Sequence, residues 1–283
     1  MAIKLLLGGG LGNQLFQYAA AKSLSLKLDT ELIVDLRFYS NAVPNSDKSP
    51  WLLDYPLRAL ISDQRKFMIG PHNIARRVVR RLISERPRYR YVQPKFHCDD
   101  AFWSLSDGAT LSGEFQSLYY FEDWWSEIKT DFFVDQTSKF RPRSHFKDIP
   151  LTDLVAVHVR RGDYLGIDGF YMKNLEEYYT RAMDVLGVGV RQLLVFSDDL
   201  EWCRKQPIFL GAMFFDEPSL APYEDLHAMA ACRDLIIANS SFSWWAGWLA
   251  FQRGAQIVAP TDWILGHSSE ELGLIPKGWH VVG

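Results

Sequence analysis

The sequence predicts an α/β protein of two units, each built around a parallel sheet. Three observations carry this. The apolar run Ile3 to Leu7 breaks at Gly8-Gly9-Gly10-Leu11-Gly12, then helical spacing leads to a second apolar run. That strand, glycine turn, helix, strand order opens parallel α/β sheets. The same alternation restarts after residue 150. The irregular region between ends in Arg141-Pro142-Arg143-Ser144-His145, the composition of a linker. The expected domains are therefore 1–145 and 146–283.

Each element follows from its pattern. Asn13 to Leu26 places Leu15, Tyr18, Ala19, Lys22 and Leu26 at helical spacing, and Glu31 to Leu36 is the second strand. From Phe38 to about Phe146 the pattern is less regular, with a loop over Asn45 to Pro50. In the second half, Leu154 to Val159 reads as a strand. Tyr171 to Leu186 reads as an amphipathic helix carrying Leu175, Tyr178, Ala182, Met183 and Leu186. Gln192 to Phe196, Leu235 to Ala238 and Gln256 to Ala259 are strands; Tyr223 to Cys232 and Phe242 to Phe251 are helices. Ligands of such sheets sit at the carboxyl ends of strands.

Composition narrows the function. The 283 residues are 48% hydrophobic and 23% charged, a globular balance that excludes global disorder. Lys and Arg number 31 against 34 Asp and Glu, so the chain is not a bulk nucleic-acid coater. Cys98, Cys203 and Cys232 show no C-x-x-C spacing and read as reduced thiols rather than as a disulfide framework or zinc site. No signal-peptide pattern and no membrane-spanning run is present, so a cytoplasmic location is expected. The stretch 65 to 95 is strongly basic and includes Arg76, Arg77, Arg80 and Arg81. It is either a solvated helix face or a peripheral contact to an anionic membrane surface, on its inner face.

Four segments at strand ends could carry chemistry. Gly8 to Gln14, with Gly10 and Gly12, lets a backbone approach a ligand and aims N–H groups at it, yet lacks both the dinucleotide fingerprint and the Lys of a P-loop. The plain alternative is a tight turn capped by Asn13. His158-Val159-Arg160-Arg161-Gly162-Asp163 ends a strand. Arg160 and Arg161 need anionic partners there, either a phosphate or, internally, Asp163. Ser197-Asp198-Asp199 offers carboxylates for a metal, a ribose or a guanine edge, or a helix cap. No D-x-D pattern occurs, which sets aside a metal-held nucleotide sugar. Asn239-Ser240-Ser241-Phe242-Ser243-Trp244-Trp245 places hydroxyls and N–H groups at the positive end of a helix, an anion site without lysine, or simple capping. Trp244 and Trp245 read as core. One anionic ligand, a diphosphate held by Arg160 and a helix N-terminus, accounts for the set.

At these residues the chain resembles the α-1,2-fucosyltransferases of glycosyltransferase family 11. The matching segments are Gly9 to Tyr18, Gly113-Glu114-Phe115-Gln116-Ser117, His158 to Tyr164, Phe196 to Asp199 and Asn239 to Trp245. The resemblance implies two Rossmann-like domains facing across a cleft (the GT-B type), with GDP-fucose bound mostly by the second. It implies inverting transfer of L-fucose to the 2-hydroxyl of a terminal galactoside in a surface glycan, an oligosaccharide that can be lipid-linked, without metal or other cofactor. By that likeness Arg160 stabilises the β-phosphate, and His158 and Asp198 read guanine or hold the nucleoside. Arg161, Asp199 and Asn239 join the donor side, and Ser240, Ser241 and Phe242 line the diphosphate. Asn13 sits near the reacting centre, and Glu114 and Gln116 meet the acceptor. The family usually carries an aromatic where Glu114 stands. The base is Asp163, Asp168 or Glu114. A related transferase of α-1,6 linkage and a nucleotide-sugar-binding protein without turnover are the other readings.

Overall fold

The computed structural model describes residues 1–41, 49–62, 90–94, 98–133, 150–166, 175–216, 221–264 and 266–283. The chain divides into two compact units, Met1–Val134 and Asp135–Gly283. The expected boundary near residue 145 falls in 134–149, outside the described residues, as do Asp168 and the basic stretch with Arg76, Arg77, Arg80 and Arg81. No described helix is long and apolar enough to cross a membrane.

The first unit holds a five-stranded sheet among its described residues. Its strands are β1 (Ala2–Leu6), β2 (Glu31–Asp35), β3 (Leu60–Ser62), β4 (Arg90–Val92) and β5 (Thr110–Ser112), ordered β3-β2-β1-β5-β4. Every pairing is parallel, and Leu5 lies opposite both Val34 and Leu111. Helix α1 (Leu11–Lys27) connects β1 to β2 and is buried on almost every side. The short helix α2 (Trp125–Ile128) follows the sheet. Strands β3, β4 and β5 escape the sequence pattern because each has only three residues and no apolar run.

The second unit holds six parallel strands: β6 (Val155–Val159), β7 (Leu193–Ser197), β8 (Met213–Phe214), β9 (Asp234–Ile236), β10 (Ile257–Pro260) and β13 (His280–Val282). Their order is β13-β10-β9-β6-β7-β8, and a separate antiparallel pair joins β11 (Asp262–Ile264) to β12 (His267–Ser268). All five residues of β6 are buried, which is why this strand reads as an unbroken apolar run. The described helices are α3 (Leu175–Leu186), α4 (Leu200–Cys203), α5 (Pro222–Ala231) and α6 (Ser241–Phe251). Leu175, Tyr178, Tyr179 and Ala182 form the buried stripe of α3 at the spacing an amphipathic helix requires. Trp244 and Trp245 are fully buried, as expected. The three cysteines are unpaired.

Each sheet reverses its strand order once. In the first unit the chain runs β1, β2, β3 outward, then returns so that β5 lies on the other side of β1. In the second it runs β6, β7, β8, then returns so that β9 lies on the other side of β6. The loops leaving β1 and β5, and those leaving β6 and β9, therefore diverge and leave crevices at the carboxyl ends.

A buried polar network ties α1 to its surroundings. Tyr18 donates to Asp131 Oδ2 at 2.7 Å, and Arg58 Nε donates to Asp131 Oδ1 at 2.6 Å. The Arg58 backbone N–H in turn donates to the Tyr18 oxygen at 3.1 Å. Tyr18→Phe removes a donor to a buried carboxylate and leaves a backbone N–H without its acceptor. The expected loss is about 1–3 kcal/mol of folding stability, read by urea denaturation.

Candidate active site

The glycine turn after β1 is held from three directions. Gln17 accepts from Gly8 N at 3.0 Å and donates to Gly8 O at 3.1 Å. Tyr39 and Gln14 both donate to Gly9 O, at 2.8 and 2.9 Å. Gly9 has φ +77°, a left-handed conformation that suits glycine. Helix α1 starts at Leu11 with Gly10 at the N-cap, so Asn13 is not the cap: it lies inside the first turn, beside buried Gly12. Its Oδ1 instead accepts from Gln116 Nε2 at 3.0 Å.

Gln116 comes from the loop after β5, where the backbone is under strain. Phe115 has φ +52°, a conformation that costs an L-residue about 1–2 kcal/mol. Two contacts impose it. The Phe115 N–H donates to Gln93 Oε1 at 2.7 Å, and the ring is buried against Phe102 and Tyr120, with centroids at 5.6 and 5.3 Å. Gly113 is required beside it, because a Cβ there would lie 2.5 Å from Gln93 Cβ. With Phe115 turned inward, Glu114 is exposed. Partial withdrawal from water still pushes the Glu114 carboxyl above the ordinary glutamate value. The structure thus brings Asn13 and Gln116 together at the carboxyl ends of β1 and β5, with Glu114 in the same loop as Gln116.

In the second unit the crevice is built from β6, β7 and β9. Asp198 holds the loop after β6 with both oxygens, accepting from Arg161 N at 3.0 Å and Gly162 N at 3.1 Å. The Arg160 guanidinium lies 3.2 Å from the same carboxylate and 5.4 Å above the Tyr164 ring. Gly162 has no room for a side chain, since a Cβ would sit 2.8 Å from Asp198 Oδ2. Arg161 Nε donates to Asp199 Oδ2 at 3.1 Å, and its guanidinium lies 4.3 Å from the Trp202 ring centroid. Asp199 also caps α4 by accepting from Trp202 N at 3.0 Å. The two arginines thus have carboxylate partners just past the end of β7. The backbone of Asp163 begins a short 3-10 turn after the arginines.

His158 is buried, and its Nδ1 has no hydrogen-bond partner among the described residues. Burial, reinforced by the Arg160 charge, lowers its pKa to about 3, so the ring is neutral at physiological pH. Tyr179 from α3 donates to the His158 carbonyl at 2.8 Å, and Tyr178 donates to Ile237 O at 2.6 Å. These two hydroxyls fix the ends of β6 and β9. Phe242 packs near the His158 ring, with centroids 5.9 Å apart.

Asn239 turns inward and donates to Trp263 O at 3.1 Å, while its own carbonyl accepts from Tyr164 at 3.2 Å. Ser240 occupies the N-cap of α6 without a side-chain cap bond, and Ser241 and Phe242 are half-buried in the first turn. Neither α6 nor α1 carries an acid in its first turn. Helices α3 and α5 do, through Glu176 and Glu177 and through Glu224 and Asp225. The helices that begin at the two crevices therefore have no acid of their own in the first turn to offset their positive ends, a favourable place for an anion.

The profile of one family, glycosyl transferase family 11, matches residues 2–271. The chain belongs to glycosyl transferase family 11. As a family 11 member it is 28% identical to an alpha-1,2-colitosyltransferase of Escherichia coli, over 96% of each chain. It is 26% identical to the O-antigen biosynthesis glycosyltransferase WbnK of Escherichia coli, over 94% of this chain and 96% of that one. It is 32% identical to galactoside alpha-(1,2)-fucosyltransferase 1 of Sus scrofa over 50% of this chain and 41% of that one.

The residues that sequence reasoning missed are those that hold the two loops in shape. Gln14 and Gln17 are polar residues on the buried face of a helix, a signal that was available. Trp202 and Tyr179 are brought to the arginine loop only by the fold.

Two predictions follow from this geometry. Gly162→Ala drives a methyl group into Asp198 and displaces the Arg160 loop; turnover is expected to fall at least about 10-fold with little change in Tm. His158 titrates at about 3 and His227, also lowered by burial, at about 4 in the fold, against 6.5 unperturbed. The unfolded chain therefore binds more protons between about pH 3 and 6.5. Their contribution is complete above that window and is lost as pH falls through it. Urea melts at pH 7 and pH 5 should show the loss, and His158→Gln should reduce it.

Proposed function

We infer that the protein transfers L-fucose from GDP-β-L-fucose to the 2-hydroxyl of a terminal galactoside, with inversion and without a metal ion. The acceptor is a surface glycan of the O-antigen type. The observation that carries this reading is the Arg160 guanidinium, paired with Asp198 and lying over Tyr164, whose hydroxyl donates to Asn239 O two residues before α6. Cleavage of the bond between the anomeric carbon and the β-phosphate leaves negative charge on GDP. A fixed guanidinium and the N–H groups of Ser241 and Phe242 meet that charge without reorganising, which stabilises the transition state more than the ground state. Membership of family 11 and the names of the three relatives support the linkage and the kind of acceptor.

Roles follow for the other residues. Arg161, pinned by Asp199 and Trp202, fixes the loop rather than reaching the donor. Asp198 serves first as the anchor of Arg160. His158, neutral and with Nδ1 unpartnered, faces the nucleoside side with Phe242. Gly10, Gly12, Asn13 and Gln116 meet the sugars at the first crevice. In this reading the protein acts at a membrane face where lipid-linked acceptors reside.

One observation favours a second donor. The relative matched at 28% identity over 96% of both chains is named for colitose, which is L-fucose lacking the 3-hydroxyl. Incubation of the protein with GDP-fucose or GDP-colitose, lactose and EDTA, with analysis of the product linkage, separates the donors. An α-1,2-linked fucoside formed equally with and without EDTA is expected. A 1,6-linked product, or nucleotide binding without product, would reject the reading. Arg160→Ala should lower kcat at least about 10²-fold.

A further inference from the structure

We propose that Tyr164 is a positioning residue for the transfer: it ties the arginine loop after β6 to the loop that leads from β9 into α6, and so fixes where the Arg160 guanidinium stands. The proposal rests on the diphosphate-donor reading above and names what holds its cation in place.

Strand β6 lies between β7 and β9 in the sheet, so the loop that leaves it can be anchored on two sides. On the β7 side the anchor is Asp198, which accepts from Arg161 N at 3.0 Å and from Gly162 N at 3.1 Å. On the β9 side it is Tyr164, whose hydroxyl donates to Asn239 O at 3.2 Å. The accepting residue is itself fixed. The Asn239 side chain is buried and donates to Trp263 O at 3.1 Å, and Ser240 N donates to Ala238 O at 2.8 Å. The α6 helix begins directly after it, at Ser241.

The ring of the same residue meets the cation. Tyr164 follows Arg160 by four residues, in the short 3-10 turn Asp163–Gly166. The Arg160 guanidinium carbon lies 5.4 Å from the Tyr164 ring centroid, within reach of a cation–π contact, and a guanidinium nitrogen lies 3.2 Å from the Asp198 carboxylate. The cation therefore has a carboxylate partner from the β7 side and an aromatic partner tethered on the β9 side. Arg161, by contrast, pairs with Asp199 and Trp202, both past the end of β7.

Tyrosine supplies both contacts with one side chain. Phenylalanine would keep the aromatic face and lose the tether, and an aliphatic residue would lose both. Without the tether the loop is held from the β7 side, by the carboxylate that also pairs with the guanidinium. The cation then samples more positions, and part of its stabilisation of the departing diphosphate is lost to reorganisation.

The test compares the wild-type chain with Tyr164→Phe and Tyr164→Leu, by transfer from GDP-fucose to lactose and by calorimetric titration of GDP and of GMP. Tyr164→Phe should lower kcat about 10-fold with the lactose KM unchanged, and should cut the preference for GDP over GMP at least about threefold, because GMP lacks the β-phosphate. Tyr164→Leu should lower kcat by about a further threefold or more. The ratio of the two affinities is read on folded protein alone, so it stays decisive where a variant is less stable. A kcat of Tyr164→Phe within about twofold of wild type, equal weakening of GDP and GMP, or a Tyr164→Leu variant no worse than Tyr164→Phe would overturn the assignment. A wild type that transfers from no GDP-sugar, or that binds GDP and GMP alike, would overturn the proposed reaction itself. A wild type that prefers GDP, beside a Tyr164→Phe variant that keeps the full preference, would remove Tyr164 alone.

Discussion

Much of the second unit's chemistry depends on one carboxylate. Asp198 accepts the backbone N–H groups of Arg161 and Gly162 and faces the Arg160 guanidinium. Two parallel bonds to a backbone fix a loop in position and direction. The cation is thereby presented at the switch between β6 and β9, where α6 begins. A long, flexible side chain on a free loop would lose much of its electrostatic advantage in reorganising. Here the reorganisation is largely complete before a substrate arrives. The residue at 162 is glycine because the carboxylate occupies the space a methyl group would need.

The first unit solves a similar problem with strain and amides in place of ions. Its turn after β1 is clamped by Gln14, Gln17 and Tyr39, and its turn after β5 is forced by Gln93 and a buried phenylalanine. Neutral donors and acceptors suit a neutral sugar, as the guanidinium and the helix start without an acid in its first turn suit a diphosphate in the second unit. Both sites stand where strand order reverses, so the same topological rule positions both.

Much of this was legible in the residues. Strands β1, β2, β6, β7, β9 and β10 and helices α1, α3, α5 and α6 announced themselves by apolar runs and helical spacing. So did the motifs at their ends. Strands β3, β4 and β5 did not, because three-residue strands are recruited by their neighbours rather than by their own pattern. The partners of the arginines were legible only in part. Sequence proximity offered Asp163 as an internal partner for the arginine pair; pairing of β6 with β7 in parallel register sets Val159 opposite Ser197 and brings Asp198 and Asp199 to it. A cap was the alternative reading of Asn13, but the helix begins at Leu11 and the Asn13 side chain receives Gln116. Non-local pairing, not local propensity, decided these points.

The central claim is that Arg160 meets the β-phosphate of a guanine nucleotide. Calorimetric titration of GDP and of GMP into the wild-type chain and into Arg160→Ala tests it most directly. In the wild type, GDP should bind at least about tenfold more tightly than GMP, a difference of about 1.4 kcal/mol, and the variant should bind both alike. Equal affinity of the wild type for the two nucleotides, or a preference for GDP that survives in Arg160→Ala, would contradict the account.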